Sequence, residues 1–297
     1  MPQYLVQKWE QYLREISRVD VVADIKIEDF RGDSVRSLEV NSESESTVRR
    51  LDEGFHVESK YISRDGKTVV ENKAANKNYS FAISKVGDDP IQLKEVDAES
   101  PTDLLFEESS AAKTVCSHVF GPIGSTVPGV TLIDIFNHPS FRMLKTTRTA
   151  IGNWEIQIDF RLSGEHFWLS GPGVIEVQGS GFMLPVNLIM QGGDQNCEGE
   201  IAVKSRYENA VQMPRAVSIE QLDILKCEGE RYIHRRDFSI TWRDANLNDS
   251  DFLRLSTYGL PEPRRPSHIN WWYVIGGLLL LAGAYQLISR REQWTRT

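Results

Sequence analysis

The sequence predicts an α+β protein dominated by antiparallel strands, with an N-terminal helix, central helices and one C-terminal transmembrane helix. Three observations predict it. Apolar and polar residues alternate with a period of two in run after run; turn-forming clusters separate those runs; and an uncharged apolar stretch, WWYVIGGLLLLAGAYQLIS, stands near the carboxyl end. The chain divides accordingly into a β-rich globular domain over 1–250, a linker over 251–269, a membrane helix over 270–289 and a basic tail over 290–297. Within the domain an amphipathic helix occupies 1–18 and a helical insertion 100–138.

The N-terminal helix follows from Leu5, Trp9, Tyr12, Leu13 and Ile16, which fall at i, i+4, i+7, i+8 and i+11 on one helical face. Strands come next. Val21, Ala23, Ile25 and Ile27 alternate with Val22, Asp24, Lys26 and Glu28; Phe55, Val57 and Tyr61 keep the same period, as do Tyr79, Phe81 and Ile83. RGDS at Arg31–Ser34 matches an adhesion tripeptide, but a turn between two strands is the simpler use of those residues. Ser100-Pro101 caps a helix reaching about Val119, where Gly121 and Pro122 stop it, and TLIDIFNHP gives a second short helix ending before Pro139. Trp154, Ile156, Ile158 and Phe160 then alternate with Glu155, Gln157, Asp159 and Arg161, and Phe238, Ile240 and Trp242 with Ser239, Thr241 and Arg243. RDGK, VGDDP, AIGN and QGGDQN supply the turns.

The three cysteines are Cys116, Cys197 and Cys227, and the last two each open the tetrapeptide CEGE. The residues after the two copies share little, which excludes an internal repeat. Ile201, Val203, Ser205 and Tyr207 form one half-buried strand and Pro214 to Leu225 reads as its partner. If Val211, Gln212 and Met213 form the loop and Ala210 faces Pro214, Cys197 lies opposite Cys227. Cross-strand Cβ atoms are about 4.5–5.5 Å apart, close to disulfide geometry. A bridge there places the domain on the oxidising side of a membrane, and Cys116 then reads as a buried thiol.

The apolar stretch Trp271–Ile288 covers roughly 27 Å at about 1.5 Å per residue, close to the thickness of a hydrocarbon core. Trp271, Trp272 and Tyr273 mark one interface, and Arg290 and Arg291 the other. Arg254, Arg264 and Arg265 before the span balance Arg290, Arg291 and Arg296 after it, so charge leaves the orientation open. MPQYLVQKWEQYL has neither a basic n-region nor an apolar h-region, which read literally gives a tail-anchored chain with a cytoplasmic domain. The same residues already look like the start of a folded helix, as a late start site or a processed chain would produce. That second reading makes the domain extracytoplasmic, with Trp271 at the outer face and Arg290 at the inner one.

Composition suits a single globular body of 40% apolar and 26% charged residues. Taking Arg290, Arg291, Arg296 and Glu292 of the tail from the 34 basic and 42 acidic residues leaves 31 and 41, a balance that repels phosphate backbones and argues against nucleic-acid partners. His56, His118, His138, His166, His234 and His268 are scattered without metal-ligand spacing. GPIGST lacks the lysine of a phosphate loop, QGSGF is not a nucleophile elbow, and Asp88-Asp89 falls in a turn. The sequence therefore gives no catalytic residue, no metal site and no cofactor site.

An N-terminal helix feeding a long antiparallel sheet that helices interrupt resembles the incomplete β-barrel of lipoprotein-carrier proteins and their stress-sensing relatives, the LolA/RseB-like fold, over roughly residues 3 to 245. NKNYSFAISK, TLIDIFNHPSFRML and DFLRLSTYGLPEP also look like uncharacterised single-pass membrane proteins of planctomycete bacteria, in which a signal peptide often precedes the domain. The resemblance implies a large curved sheet, a half-barrel, whose inward side chains could hold an acyl chain, at about 0.8 kcal/mol per buried methylene. Tyr79, Phe81, Ile83, Trp154, Ile156, Ile158 and Phe160 are the residues that would line it, unless they simply form the core. Two non-enzymatic expectations follow: a membrane-anchored module binding a lipid or other apolar ligand, or an anchored scaffold or sensor with a filled core that meets protein partners.

Overall fold

The computed structural model describes residues 1–16, 19–52, 54–97, 130–164, 168–194, 196–209 and 213–263. After helix α1 (Pro2–Ile16), six strands follow one another: β1 (Val21–Gly32), β2 (Glu39–Leu51), β3 (Gly54–Ile62), β4 (Thr68–Asn76), β5 (Ser80–Val86) and β6 (Gln92–Asp97). A short helix, α2 (Leu132–Asn137), introduces β7 (Arg142–Arg148), β8 (Trp154–Asp159), β9 (Arg161–Ser163), β10 (Trp168–Val177), β11 (Pro185–Gly193), β12 (Cys197–Asn209), β13 (Pro214–Cys227) and β14 (Glu230–Asp244). Two 3-10 turns, Leu247–Leu253 and Leu255–Tyr258, end the described chain.

All these strands belong to one antiparallel sheet, ordered β6-β5-β4-β3-β2-β1-β14-β13-β12-β11-β10-β8-β7, with β9 paired to β10. Two meanders, β1 to β6 and β7 to β14, are joined where the first strand pairs with the last. Of the RGDS stretch, Arg31 and Gly32 end β1, while Asp33 and Ser34 lead into a 3-10 turn at Val35–Ser37 that connects β1 to β2. Thr131 starts α2 through a capping box, accepting from the Asp134 N–H while the Asp134 carboxylate accepts from the Thr131 N–H.

The apolar stripe of α1 lies against one face of the sheet. Leu5, Trp9 and Tyr12 are fully buried and Ile16 nearly so, packed with Leu132 and Ile135 of α2 and with Ile156, Ile158, Leu169, Ile175, Leu188, Ile219 and Phe238 of the sheet. Polar atoms of α1 are satisfied within this core: Trp9 Nε1–H donates to the Met183 carbonyl at 3.0 Å and the Tyr12 hydroxyl to the Pro214 carbonyl at 3.1 Å. Burial pushes the Tyr12 phenol well above its ordinary range. Each such large side chain contributes about 1.5–3 kcal/mol by leaving water, which is why a fifteen-residue helix that would be marginal alone is held here.

A second apolar cluster lies on the opposite face. Ala74, Phe81 and Ile83 of β4 and β5, with Tyr79, are covered by Leu253 and Leu255 of the two 3-10 turns. Alternation places them there: Phe81 pairs with Ala74, Ala74 with His56 and His56 with Arg49, the row adjacent to the one in which Val48 and Val57 face α1. The chain separates into a unit Met1–Pro261 and a unit Glu262–Thr297, so the expected linker from 251 begins inside the folded unit, with Leu253 and Leu255 both buried.

The expected fold class needs correction. Among the described residues the fold is β-dominated with few helices, and no helix there is long and apolar enough to cross a membrane, so the expected C-terminal transmembrane helix is not among the elements seen. The reason is length and polarity, since α1 spans only about 22 Å at about 1.5 Å per residue and alternates its buried stripe with exposed Gln7, Glu10 and Gln11, while α2 has six residues. The expected span over 270–289 and the basic tail lie outside the described residues, as do the first helix of the insertion and Cys116. The sheet path is open, ending at β6 and β7.

Candidate functional site: an arginine-flanked tryptophan groove

The residues expected to line one apolar surface fall on two. Ile156, Ile158 and Phe160 are buried in the core beneath α1 and α2, with Trp154 packed at its margin, whereas Tyr79, Phe81 and Ile83 belong to the cluster on the other face. Cys197 and Cys227 stand directly opposite each other, Cα to Cα 4.1 Å, and are joined by a disulfide. The ladder from Cys197 to Arg206 follows the register that the alternation predicts, then slips by one at a bulge after Arg206, so that Asn209 rather than Ala210 faces Pro214.

The face opposite α1 carries a groove of about 700 Å³, lined among others by Ser140, Arg142, Asp159, Arg161, Trp168 and Ser170. Alternation explains each of them. Leu169 is fully buried in the core, so its neighbours Trp168 and Ser170 point away from it; Ile158 is likewise buried, so Asp159 points outward, and Arg142 pairs with Asp159 in register. Arg161 pairs with Ser170. Ser140 continues the ladder with its side chain, its Oγ accepting from the Arg161 N–H and donating to the Arg161 carbonyl, both at 2.9 Å.

Glycines give the groove its shape. Gly171 carries no Cβ, and one there would stand 2.7 Å from the Asp159 Cα and 2.9 Å from its Oδ1. Gly193, cross-strand partner of Trp168, offers no side chain to cover the indole, and a Cβ at that position would collide with the Cys197 carbonyl. Trp168 thus forms a ridge shared with a second depression of about 540 Å³, lined by Gln191, Glu198, Ile224, Lys226 and Arg231 among others. Four cations, Arg142, Arg161, Lys226 and Arg231, surround it against two carboxylates, Asp159 and Glu198, a local excess of positive charge on a chain whose net charge is −8.

The α1 face also has a polar part beyond its apolar core. His234 Nε2 lies 2.8 Å from Asp29 Oδ1, Arg236 reaches Asp223 at 3.7 Å, and Gln221 donates to both oxygens of Asp223 at 3.0 and 3.1 Å. His234 with Asp29 and Gln221 with Asp223 satisfy one another, which is how buried polar side chains are tolerated, whereas Arg236 Nε is buried without a hydrogen-bond partner among the described residues. Among the described residues no group of three or more His, Cys, Asp or Glu could hold a metal ion.

The sequence reading missed Trp168, Arg142 and Arg161. FWLSG did hold a signal: a tryptophan beside a leucine in an alternating run must face away from the leucine, and with Leu169 in the core the indole goes to the surface. No family model matches the chain, and no curated protein matches it.

Proposed function

We propose that the chain is a non-enzymatic binding module with a filled core, acting through protein contacts at the groove around Trp168. The observation that carries this reading is the burial of Leu5, Trp9, Tyr12 and Ile16, at 0–2% exposure, on the sheet face where an apolar ligand would have to lie. An acyl chain there would have to displace α1 and leave the Met183 and Pro214 carbonyls without their donors. The sheet with its N-terminal helix supports kinship with the lipoprotein-carrier fold, but in a version whose own helix occupies the sheet face.

Tryptophan and arginine are the side chains that dominate protein-interface energetics, and a Trp ridge between cationic depressions suits an acidic partner segment. The Cys197–Cys227 bridge supports an extracytoplasmic setting, since such bonds persist in oxidising compartments. No reaction, metal, cofactor or nucleic acid enters the proposal.

Two measurements test it. Native mass spectrometry of the protein isolated without detergent should show no stoichiometric lipid; a one-to-one lipid adduct would reverse the filled-core reading. A photoreactive side chain at Ser170 should form a discrete protein adduct in the native host that Arg161→Glu abolishes, whereas the same group at Glu220 should not. Equal adducts at both positions, or none at Ser170, would remove the groove from the proposal.

A further inference from the structure

We propose that residues 246–260 form an acid-released strap, which at neutral pH covers the apolar patch of Ala74, Phe81 and Ile83 and on protonation of His56 lets go of it. The strap meets the sheet at one buried polar cluster. His56, fully buried on β3, receives Arg49 Nη1 at 3.0 Å on its Nδ1 and lies 3.0 Å from both Asn72 Oδ1 and the Tyr258 hydroxyl through its Nε2. Arginine has only donors to offer, so Nδ1 must be the acceptor and Nε2 carries the proton. Every ring position is then used. A second proton on Nδ1 would set two donors and two cations face to face, with no water to separate them.

The strap holds the other side of the same cluster. Tyr258 donates to Asn72 Oδ1 at 3.3 Å, and Phe252 lies 3.9 Å from the Arg49 guanidinium and 5.5 Å from the imidazole. Asp249 pairs with Arg49 at 3.3 Å and with Arg243 at 2.7 and 2.8 Å. Asn76 Nδ2–H donates to the Leu253 carbonyl at 2.7 Å, and the Leu255 N–H donates to the Tyr79 hydroxyl. These contacts lie within Met1–Pro261 and join the strap to β2, β3, β4 and β14 and to Tyr79 just before β5.

The charged and titratable groups that face His56 are therefore Arg49 from β2, Asp249 and Tyr258 from the strap, with Glu58 acting on Tyr258 and Arg243 on Asp249. Asp249 and Tyr258 keep their charge state between pH 7.5 and 5.0, and His56 takes up a proton there only when the strap lets go. Arg243 holds the Asp249 carboxyl well below the usual range, and burial pushes the Tyr258 phenol up. Burial, then Arg49, lowers the His56 imidazole from 6.5 to about 3 in the closed strap, and release returns it toward 6.5. Opening is thus favoured as pH falls below 6.5 and gains about tenfold per pH unit until the closed form also takes the proton.

Hydrogen–deuterium exchange on the full chain, corrected for the intrinsic pH dependence of exchange, reads this directly. Protection over 247–258 and 80–84 should fall by about thirtyfold between pH 7.5 and pH 5.0, while 156–158 and 175–177 beneath α1 stay protected. His56→Gln should flatten the pH dependence. Asp249→Asn should lower protection at every pH yet keep the wild-type slope, and it serves as the comparison should the His56 variant not fold. The proposal is overturned by flat protection of the strap from pH 7.5 to 5.0, by an unchanged slope in His56→Gln, by loss of the slope in a folded Asp249→Asn, or by a parallel loss over 156–158 and 175–177, which would mean that the whole unit opens.

Discussion

His56 and Trp9 show how single residues tie the sheet to what covers it. The His56 ring is neutral in the fold because burial and Arg49 lower its pKa from 6.5 to about 3, while the unfolded chain takes a proton near 6.5. Between those values the unfolded state binds more protons, so stability is complete above pH 6.5 and declines as pH falls toward 3. The slope is about 1.4 kcal/mol per pH unit for one proton. Urea unfolding at pH 7.0 and 5.0 should therefore differ by about 2 kcal/mol, and His56→Gln should remove that part of the difference. Trp9 offers a different kind of test. Trp9→Phe keeps most of the apolar volume but leaves the Met183 carbonyl without its donor, and should cost about 1–3 kcal/mol in the same assay. These two residues differed in legibility. Trp9 was visible from its helical spacing, whereas Arg49, His56 and Asn72 sit at polar positions that a period of two assigns to water. Only the strap, which no local pattern announces, makes them interior.

At the scale of elements, the β12–β13 hairpin was the most readable part of the chain. Two long alternating runs share one short loop, and pairing them puts one cysteine on the other; the bulge after Arg206 was invisible because a single extra residue leaves no mark in composition. The bridge closes a separation of 30 residues, a size for which chain entropy predicts about 3–4 kcal/mol. Replacing Cys197 and Cys227 together by serine should lower unfolding stability by up to that amount while leaving the sheet intact by circular dichroism. Other strands were hidden by their sequences. β2 reads VNSESES over its first half and looks like a loop, since neither face there is apolar; its neighbours β1 and β3 impose the extended form through a continuous ladder. Residues from 251 read as the start of a linker because GLPEPRRPSH is rich in proline and arginine, yet Leu253 and Leu255 are buried. Within the groove, Gly171→Ala should destabilise the fold by about 1–3 kcal/mol, because Asp159 backbone rather than a flexible side chain stands 2.7 Å from the new Cβ.

On the scale of the whole molecule, the β-dominated character was legible and the use of both sheet faces was not. Periodicity separates a dry side of each strand from a wet one, but it cannot say that α1 covers one side of the sheet while the 247–258 turns cover the other at β4 and β5. That is why seven apolar residues that read as one lining belong to two clusters. Among the described residues the sheet ends at two edge strands, β6 and β7, and unpaired backbone at an edge invites pairing with another copy. The β7 edge is protected by its chemistry: it carries Arg142, Lys145 and Arg148 without a carboxylate, and its register shifts between Met143 and Lys145. Exposed Leu144 lies between these charges, so protection is electrostatic and geometric rather than steric. Replacing Lys145 and Arg148 by threonine keeps β propensity but removes the charge, and light scattering should then show self-association at concentrations where the parent chain is monodisperse. Lys60 and Lys85, exposed on the internal strands β3 and β5, provide the control, since the same two-charge loss there leaves the β7 edge guarded. Association equal in the two double variants would show that net charge, not the β7 edge, keeps the copies apart.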